Sequence, residues 1–334
     1  MRKEFCDPPL PANFHIIKNS NEVKRTKEYE KYRELWEKTA AAHIITPFPL
    51  HLDIEVTSYC NLKCPMCPRT HRVKMGQWES KHMSLDFFKK IIDSGATLGL
   101  CAVNLNNFGE SLMNKDLPLM VKYAKDSGII DIMLHTNGTL LTEELSKQLI
   151  FYGLDTIVFS FDSITKELYE KIRKGADFET TVNNIRRFAA LKRQLDSASP
   201  QIRVGMVYMK ENAQEKDSFV SFWGGDVDVV SYTDYRNQDG LDETDRYIKR
   251  KSANPAFACP SLWQRMTINV NGLVTACCRD AGKRLVIGDL NTGATLKEIW
   301  DGDALRDARY LHEIGRAAEI PACNGCDHIR GHQV

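Results

Sequence analysis

Between Leu50 and Arg236 the hydrophobic period of the chain switches repeatedly: short apolar runs beginning near Leu50, Cys101, Asp131, Thr156, Gln201 and Asp226 alternate with helical stretches. That alternation is the pattern of βα units, which form a parallel sheet with helices on its outside. The expected helices cover about 84–94, 114–127, 142–152, 165–174 and 177–195, with a weaker one over 213–223. The first five open on a residue able to cap them, and the first four stop at Gly95, Gly128, Gly153 and Gly175. Glu22–Ala42 reads as a further helix, within an N-terminal extension over residues 1–49.

In the first run Leu50, Leu52, Ile54 and Val56 share one face, and His51, Asp53 and Glu55 share the other. If helices cover the apolar face, the polar face looks inward. Asn104 and Asn106, His135 and Asn137, Ser160 and Asp162, and Arg203 fall on polar faces of the later strands. A closed eight-stranded barrel fills its interior with branched apolar side chains. Six strands with polar interior positions predict an incomplete barrel around a wet lumen, suited to a hydrophilic substrate.

Directly after the first strand stand Cys60, Cys64 and Cys67, at C-x3-C-x2-C spacing. With 10 cysteines in 334 residues, chance gives that spacing in fewer than about one such chain in a hundred. A 4Fe-4S cluster normally takes four cysteines, one per iron, so three leave one iron open to a substrate or cofactor. Zinc is the competing reading, but a structural zinc site is closed by four ligands, and only His71 offers itself as a fourth. Cys259, Cys277, Cys323 and Cys326 form a second set of four thiols, which suits zinc and a closed cluster equally. Asn271-Gly272 between two β-rich runs predicts a hairpin; followed by a helix, it would bring the ends of this set together.

Charge and hydropathy exclude other classes. The 45 basic and 44 acidic residues leave a formal charge of +1, which is no electrostatic footprint for nucleic acid or an anionic membrane. The N-terminal residues lack the apolar core of a signal peptide, and no run approaches the ~18–20 apolar residues of a membrane span. The expected location is cytoplasmic, where cysteines serve as metal ligands or redox groups rather than disulfides.

Over about residues 50–236 the chain resembles the radical S-adenosylmethionine (SAM) enzymes, whose cluster loop is C-x3-C-x2-C after the first strand of a partial (β/α)6 TIM-like barrel. Asn107-Phe108-Gly109-Glu110 is similar to the family's Gly-Gly-Glu segment, with Phe108 replacing its first glycine. The resemblance implies that Gly109 and Glu110 hold the SAM amino group. It also implies that Ser160 and Asp162 contact the ribose and carboxylate of SAM, that Arg173 binds a carboxylate, and that Met66 packs near the adenine. Asn137, in the His135-Thr-Asn-Gly segment that ends strand three in many relatives, joins this set. In such enzymes SAM chelates the open iron, and an electron from a flavodoxin- or ferredoxin-type reductant cleaves it to methionine and a 5′-deoxyadenosyl radical. That radical takes a hydrogen atom from an unactivated C–H bond.

Gly272-x4-Cys277 after Cys259, with a late Cys323-x2-Cys326, resembles the SPASM/twitch subgroup in its shortened twitch form. This implies a small β-hairpin and helix domain with one fully ligated auxiliary cluster, hence two 4Fe-4S clusters in all. The expected division is an extension at 1–49, the barrel at 50–236, a linker at 237–258 and the auxiliary domain at 259–334. Relatives act on sugars, aminocyclitols or peptides, and one helix in 49 residues is too little for the recognition domain of many peptide-modifying members. The resemblance therefore implies dehydrogenation or epimerisation of a sugar, sugar nucleotide or aminocyclitol. Cys278 is the candidate hydrogen donor, and Asp234 and Arg236, at the end of strand six, are candidates to touch substrate. A peptide maturase, and a non-catalytic iron-sulfur or zinc protein, are the alternatives.

Overall fold

The computed structural model describes residues 14–18, 26–247 and 257–326. In chain order the elements are β1 (Phe14–Lys18), α1 (Lys27–Ala42), β2 (His51–Ile54), α2 (Pro68–Lys74), α3 (Leu85–Ala96), β3 (Ala102–Asn104), α4 (Leu117–Asp126), β4 (Asp131–Thr136), α5 (Glu143–Phe151), β5 (Thr156–Ser160), α6 (Lys166–Ile172), α7 (Phe178–Gln194), β6 (Gln201–Tyr208), α8 (Lys216–Trp223) and β7 (Val229–Asp234). After them come α9 (Ser261–Gln264), β8 (Arg265–Ile268), β9 (Leu273–Thr275), β10 (Val286–Asp289), α10 (Leu296–Asp301) and α11 (Asp303–Glu313).

The ten strands of the described residues form one sheet, ordered β1-β7-β6-β5-β4-β3-β2-β8-β9-β10. The six strands from β2 to β7 run parallel, the partial barrel expected from the βα alternation. Leu52, Ile54 and Val56 share one apolar core with Phe88, Ile91 and Ile92 of α3, and each such buried side chain contributes about 1.5–3 kcal/mol. The apolar face of β2 is therefore the outer one, and His51 and Asp53 turn inward. Ser84, Thr142 and Asp177 cap α3, α5 and α7 with their side chains.

Several expectations are corrected. Asn114 does not cap α4, which begins three residues later; its amide instead donates to Val56 O and Met83 O, tying the chain after β3 to β2. Thr165 makes no capping bond to α6. Gly95 lies inside α3, where a Cβ would meet Leu100 at 2.6 Å, so it serves close packing and not termination. Residues 14–18, for which the sequence predicts no element within the N-terminal extension, form an antiparallel edge strand on β7; five residues are too short a run to reveal a strand whose pairing comes from a distant partner. The N-terminal helix begins at Lys27 on a Thr26 cap, and residues 22–25 of its expected span lie outside the described residues. The described part of the expected linker is folded: Arg246 pairs with Asp242 and Glu211, and Tyr235 Oη donates to Asp242 at 2.8 Å.

The C-terminal segment joins the barrel edge to edge, since β8 pairs in parallel with β2 and turns back through β9. Gly272 at that turn has φ +87°, a left-handed conformation that costs glycine little. Trp300 Nε1 donates to Thr46 O at 2.8 Å, fixing α10 to the segment before β2. Below the sheet, Tyr32 and Trp36 of α1 pack on Leu50 and Ala102 at the strand starts, so this helix closes the barrel floor.

Candidate active site

The loop after β2 is a tight cup. Cys67 N donates to Cys64 O at 3.1 Å and Thr70 N to Cys67 O at 3.0 Å. A helix not expected from the sequence, α2, starts there with Cys67 as its N-cap and Pro68 in its first turn. Backbone N–H groups face the sulfurs, Leu62 towards Cys60 and Arg69 and Thr70 towards Cys67. Burial pushes all three thiols up, Cys64 to about 11. They are protonated at neutral pH, and a metal that takes them as thiolates must displace those protons.

Neighbouring strand ends lock the cup. At Gly109 a Cβ would lie 1.9 Å from Thr57 O, so only glycine lets this segment lie on the cysteine loop. Glu110 N donates to Tyr59 O at 2.7 Å. The buried Glu110 carboxylate accepts from Leu112 N (3.1 Å), Thr136 Oγ1 (2.6 Å) and Asn137 N (2.7 Å), yet burial still raises it. Asn137 Nδ2 donates to Asn61 Oδ1, inside the cysteine motif, at 3.0 Å. Arg173 is half-buried, its side chain 13% exposed; its Nε lies 2.6 Å from Asp162 Oδ2 and its guanidinium hydrogen-bonds Cys64. Asp162 also accepts from Val207 N at 2.8 Å. Met66 packs with Ile172, Met209 and Tyr235, an apolar wall beside the cup. Ser160 ends β5 opposite Gly205, and Asp234 ends β7 opposite Tyr208; Arg236 follows two residues later, half-buried. His71, the possible fourth zinc ligand, is bound to Pro65 O at 2.7 Å.

Beneath the cup lies a polar lumen. Asp53 sits 3.4 Å from both Arg265 Nη1 and His51 Nε2 and accepts from Asn104 Nδ2 at 3.1 Å. Burial alone would raise Asp53, but Arg265, His51 and Asn104 outweigh it and hold the carboxyl well below the usual range. Across the lumen, burial and then Arg203 lower His135 to about 4, leaving it neutral at pH 7. Arg265 was missed in the sequence, although Arg265, Thr267 and Asn269 alternate with Met266, Ile268 and Val270 as His51, Asp53 and Glu55 alternate in β2.

The second thiol set gathers from three places. Cys259 precedes α9, Cys277 follows β9, and Cys323 and Cys326 lie beyond α11. Cys259 neighbours Cys326 and Cys277, and burial followed by Cys259 and Cys326 pushes Cys323 up to about 12. Cys277 Sγ accepts from Arg279 N at 3.4 Å. The free Cys278 thiol hydrogen-bonds with Cys277, which holds it below the usual thiol range, and it feels the charges of Asp53 and Arg265. Among the described residues no three His, Cys, Asp or Glu side chains converge on a single ion. The fit to clusters rests on donor chemistry: a soft thiolate set, mutually adjacent and met by backbone N–H groups, suits iron-sulfur ligation.

Residues 54–223 match the family model of the radical SAM superfamily. The chain belongs to that superfamily. Residues 259–327 match the SPASM iron-sulfur cluster-binding domain, and the cofactors of this radical SAM enzyme are SAM and 4Fe-4S clusters. The chain is 33% identical over 168 residues to a probable GTP 3′,8-cyclase of Methanococcus maripaludis, covering 50% of each chain. It is 30% identical over 168 residues to a tungsten-containing aldehyde ferredoxin oxidoreductase cofactor-modifying protein of Pyrococcus furiosus, covering 49% of this chain and 45% of the other. It thus spans about half the length of the curated relatives it matches. Its fold is similar to BtrN in complex with AdoMet and 2-DOIA, at TM-score 0.57 and 18% identity over 85% of this chain and 94% of that one. It is also similar to Streptococcus suis SuiB bound to S-adenosylmethionine, at TM-score 0.63 and 15% identity over 86% and 74%. Among the described residues no helix is long and apolar enough to cross a membrane.

Proposed function

We propose that this radical SAM enzyme acts on a polyhydroxylated small molecule, a sugar, sugar nucleotide or aminocyclitol, and oxidises or epimerises one of its carbinol carbons. One observation carries the reading. Asn104 Oδ1 on β3 and Thr267 Oγ1 and Arg265 Nε on β8 are buried polar atoms without a hydrogen-bond partner, on the inward positions of the two strands that flank β2. Each unmet group costs about 1–3 kcal/mol. Together they call for a ligand that both donates and accepts, which is what a set of hydroxyls provides.

When bound, SAM at a reduced cluster supplies the 5′-deoxyadenosyl radical, and a closed second cluster supplies a one-electron centre. In this proposal Cys60, Cys64 and Cys67 ligate the first, and Cys259, Cys277, Cys323 and Cys326 the second. Gly109, Glu110, Asn137, Ser160, Asp162 and Arg173 orient SAM, with Met66 against the adenine. An external flavodoxin- or ferredoxin-type protein delivers the electron.

Residues of the chain then decide the outcome. Cys278, whose thiol feels the charges of Asp53 and Arg265, is the candidate to return a hydrogen atom to the opposite face of the substrate radical, which inverts the carbon. Its thiol is restored by one proton from solvent and one electron from the reductant. Without that return, the hydroxyl loses its proton to a base, the one remaining electron passes to the second cluster, and the carbon becomes a ketone; Asp234 and Arg236 are the candidates to hold that hydroxyl.

The test is anaerobic turnover of the reconstituted full chain against sugars, sugar nucleotides, aminocyclitols, GTP and peptides. A polyol that raises 5′-deoxyadenosine above background supports the reading; stimulation by a peptide alone overturns it. In D2O, solvent deuterium in a wild-type product, lost in Cys278→Ala, assigns epimerisation.

A further inference from the structure

His312 touches the second thiol set without being one of its ligands. It lies on the inner face of α11 and is 1% exposed. Three residues earlier, Arg309 Nε donates to Leu262 O at 2.9 Å, holding this face of α11 against α9. Cys259 N donates to His312 Nδ1 at 3.2 Å. A nitrogen that accepts from a backbone N–H carries no proton of its own, so the neutral ring has its hydrogen on Nε2. Nε2 is 3.4 Å from Cys323 Sγ, within reach of an N–H···S bond. One imidazole therefore spans the Cys259 loop and the Cys323 loop, accepting from the first and donating to the second.

We propose that His312 is a positioning residue that raises the reduction potential of the auxiliary cluster by donating its Nε2–H to the Cys323 thiolate. This rests on the reading of Cys259, Cys277, Cys323 and Cys326 as that cluster's ligands. A donor aimed at a ligand sulfur draws electron density from it and favours the reduced, more negative state; hydrogen bonds to the sulfurs are among the protein's levers on such potentials. The direction suits a centre that receives an electron. The Cys259 contact supplies what a lone histidine beside a thiol lacks, because it fixes which nitrogen carries the proton.

The experiment uses the full chain carrying Cys60→Ala, Cys64→Ala and Cys67→Ala, so that a single cluster is observed, and reads its midpoint potential by redox titration with EPR. His312→Phe, which keeps the ring volume and removes the donor, shifts the potential to more negative values. His312→Gln, whose amide can donate over a similar reach, recovers part of the shift. Equal potentials at equal iron content in His312, Phe and Gln chains overturn the proposal. If His312→Phe does not assemble a cluster, the chain with native His312, 15N-labelled histidine and His328→Gln and His332→Gln replacements decides. A 15N hyperfine coupling in its reduced cluster supports the bond, and its absence overturns it. Failure of the underlying ligand reading looks different: the Cys60→Ala, Cys64→Ala, Cys67→Ala chain then binds no iron at all.

Discussion

The two thiol sets teach opposite lessons about how a chain builds a metal site. Cys60, Cys64 and Cys67 lie on one loop, and their supports come from the neighbouring βα units that the pattern itself puts beside it: Gly109 and Glu110 after β3, Asn137 after β4, Asp162 after β5 and Arg173 at the end of α6. Cys259, Cys277, Cys323 and Cys326 come from three separate places and depend on β8 joining β2, on α10 anchoring through Trp300 and on α11 packing against α9. The first site is local and over-determined. The second is assembled from distant elements, and the Asp53–Arg265 contact links it to the barrel.

That link gives the largest expected effect on stability. Asp53→Asn leaves the Arg265 guanidinium uncompensated at the barrel–auxiliary junction, and breaking a buried pair on one side costs about 3 kcal/mol or more. Denaturant unfolding of the apo chain measures it, and the second thiol set should lose its iron more readily than the first. An unchanged midpoint breaks the contrast, because the two regions would then not be coupled through this pair. Gly109→Ala attacks the local site: its Cβ meets Thr57 O and Tyr59 O, both backbone, and such overpacking costs about 1–3 kcal/mol. Iron should be lost from the first set with the second retained.

How much of this could be read beforehand follows the same division. The barrel was legible because its period switches within short windows, and the lumen because His51, Asp53 and Glu55 alternate with Leu52, Ile54 and Val56. The three-cysteine loop declared itself by spacing. Arg265, Thr267 and Asn269 show an equally clear alternation, but nothing local says that their strand pairs with β2, more than 200 residues earlier in the sequence. The edge strand Phe14–Lys18 and the Asp242–Arg246 fold were hidden for the same reason, since each is defined by partners far along the chain or by side-chain pairing without periodicity. Asn61 was passed over inside the cysteine motif because its role, bridging Asn137 and Thr139, exists only once the cysteine loop meets the loop after β4.

Smaller effects sharpen the contrast further. His135 is held neutral in the lumen with its folded value lowered to about 4, below the usual value near 6.5. The unfolded chain therefore binds this proton more readily, and stability present above pH 6.5 falls on acidification towards pH 4, by at most about 1.4 kcal/mol per unit. His135→Gln should flatten that part of the pH profile of unfolding; an unaltered profile places the histidine in contact with bulk water. At the auxiliary side, Thr295→Ala removes the capping box that Thr295 and Glu298 form on α10, at about 1 kcal/mol. It should lower the melting temperature slightly and leave SAM cleavage intact.

The most direct measurement is iron content and 5′-deoxyadenosine formation in three reconstituted chains: wild type, Cys64→Ala and Cys323→Ala. The account predicts about eight irons in the wild type and about four in each variant. Cys64→Ala should form no 5′-deoxyadenosine, while Cys323→Ala retains dithionite-driven SAM cleavage but not product formation. About four irons in the wild type, all lost in Cys64→Ala, or SAM cleavage that survives Cys64→Ala, would contradict it.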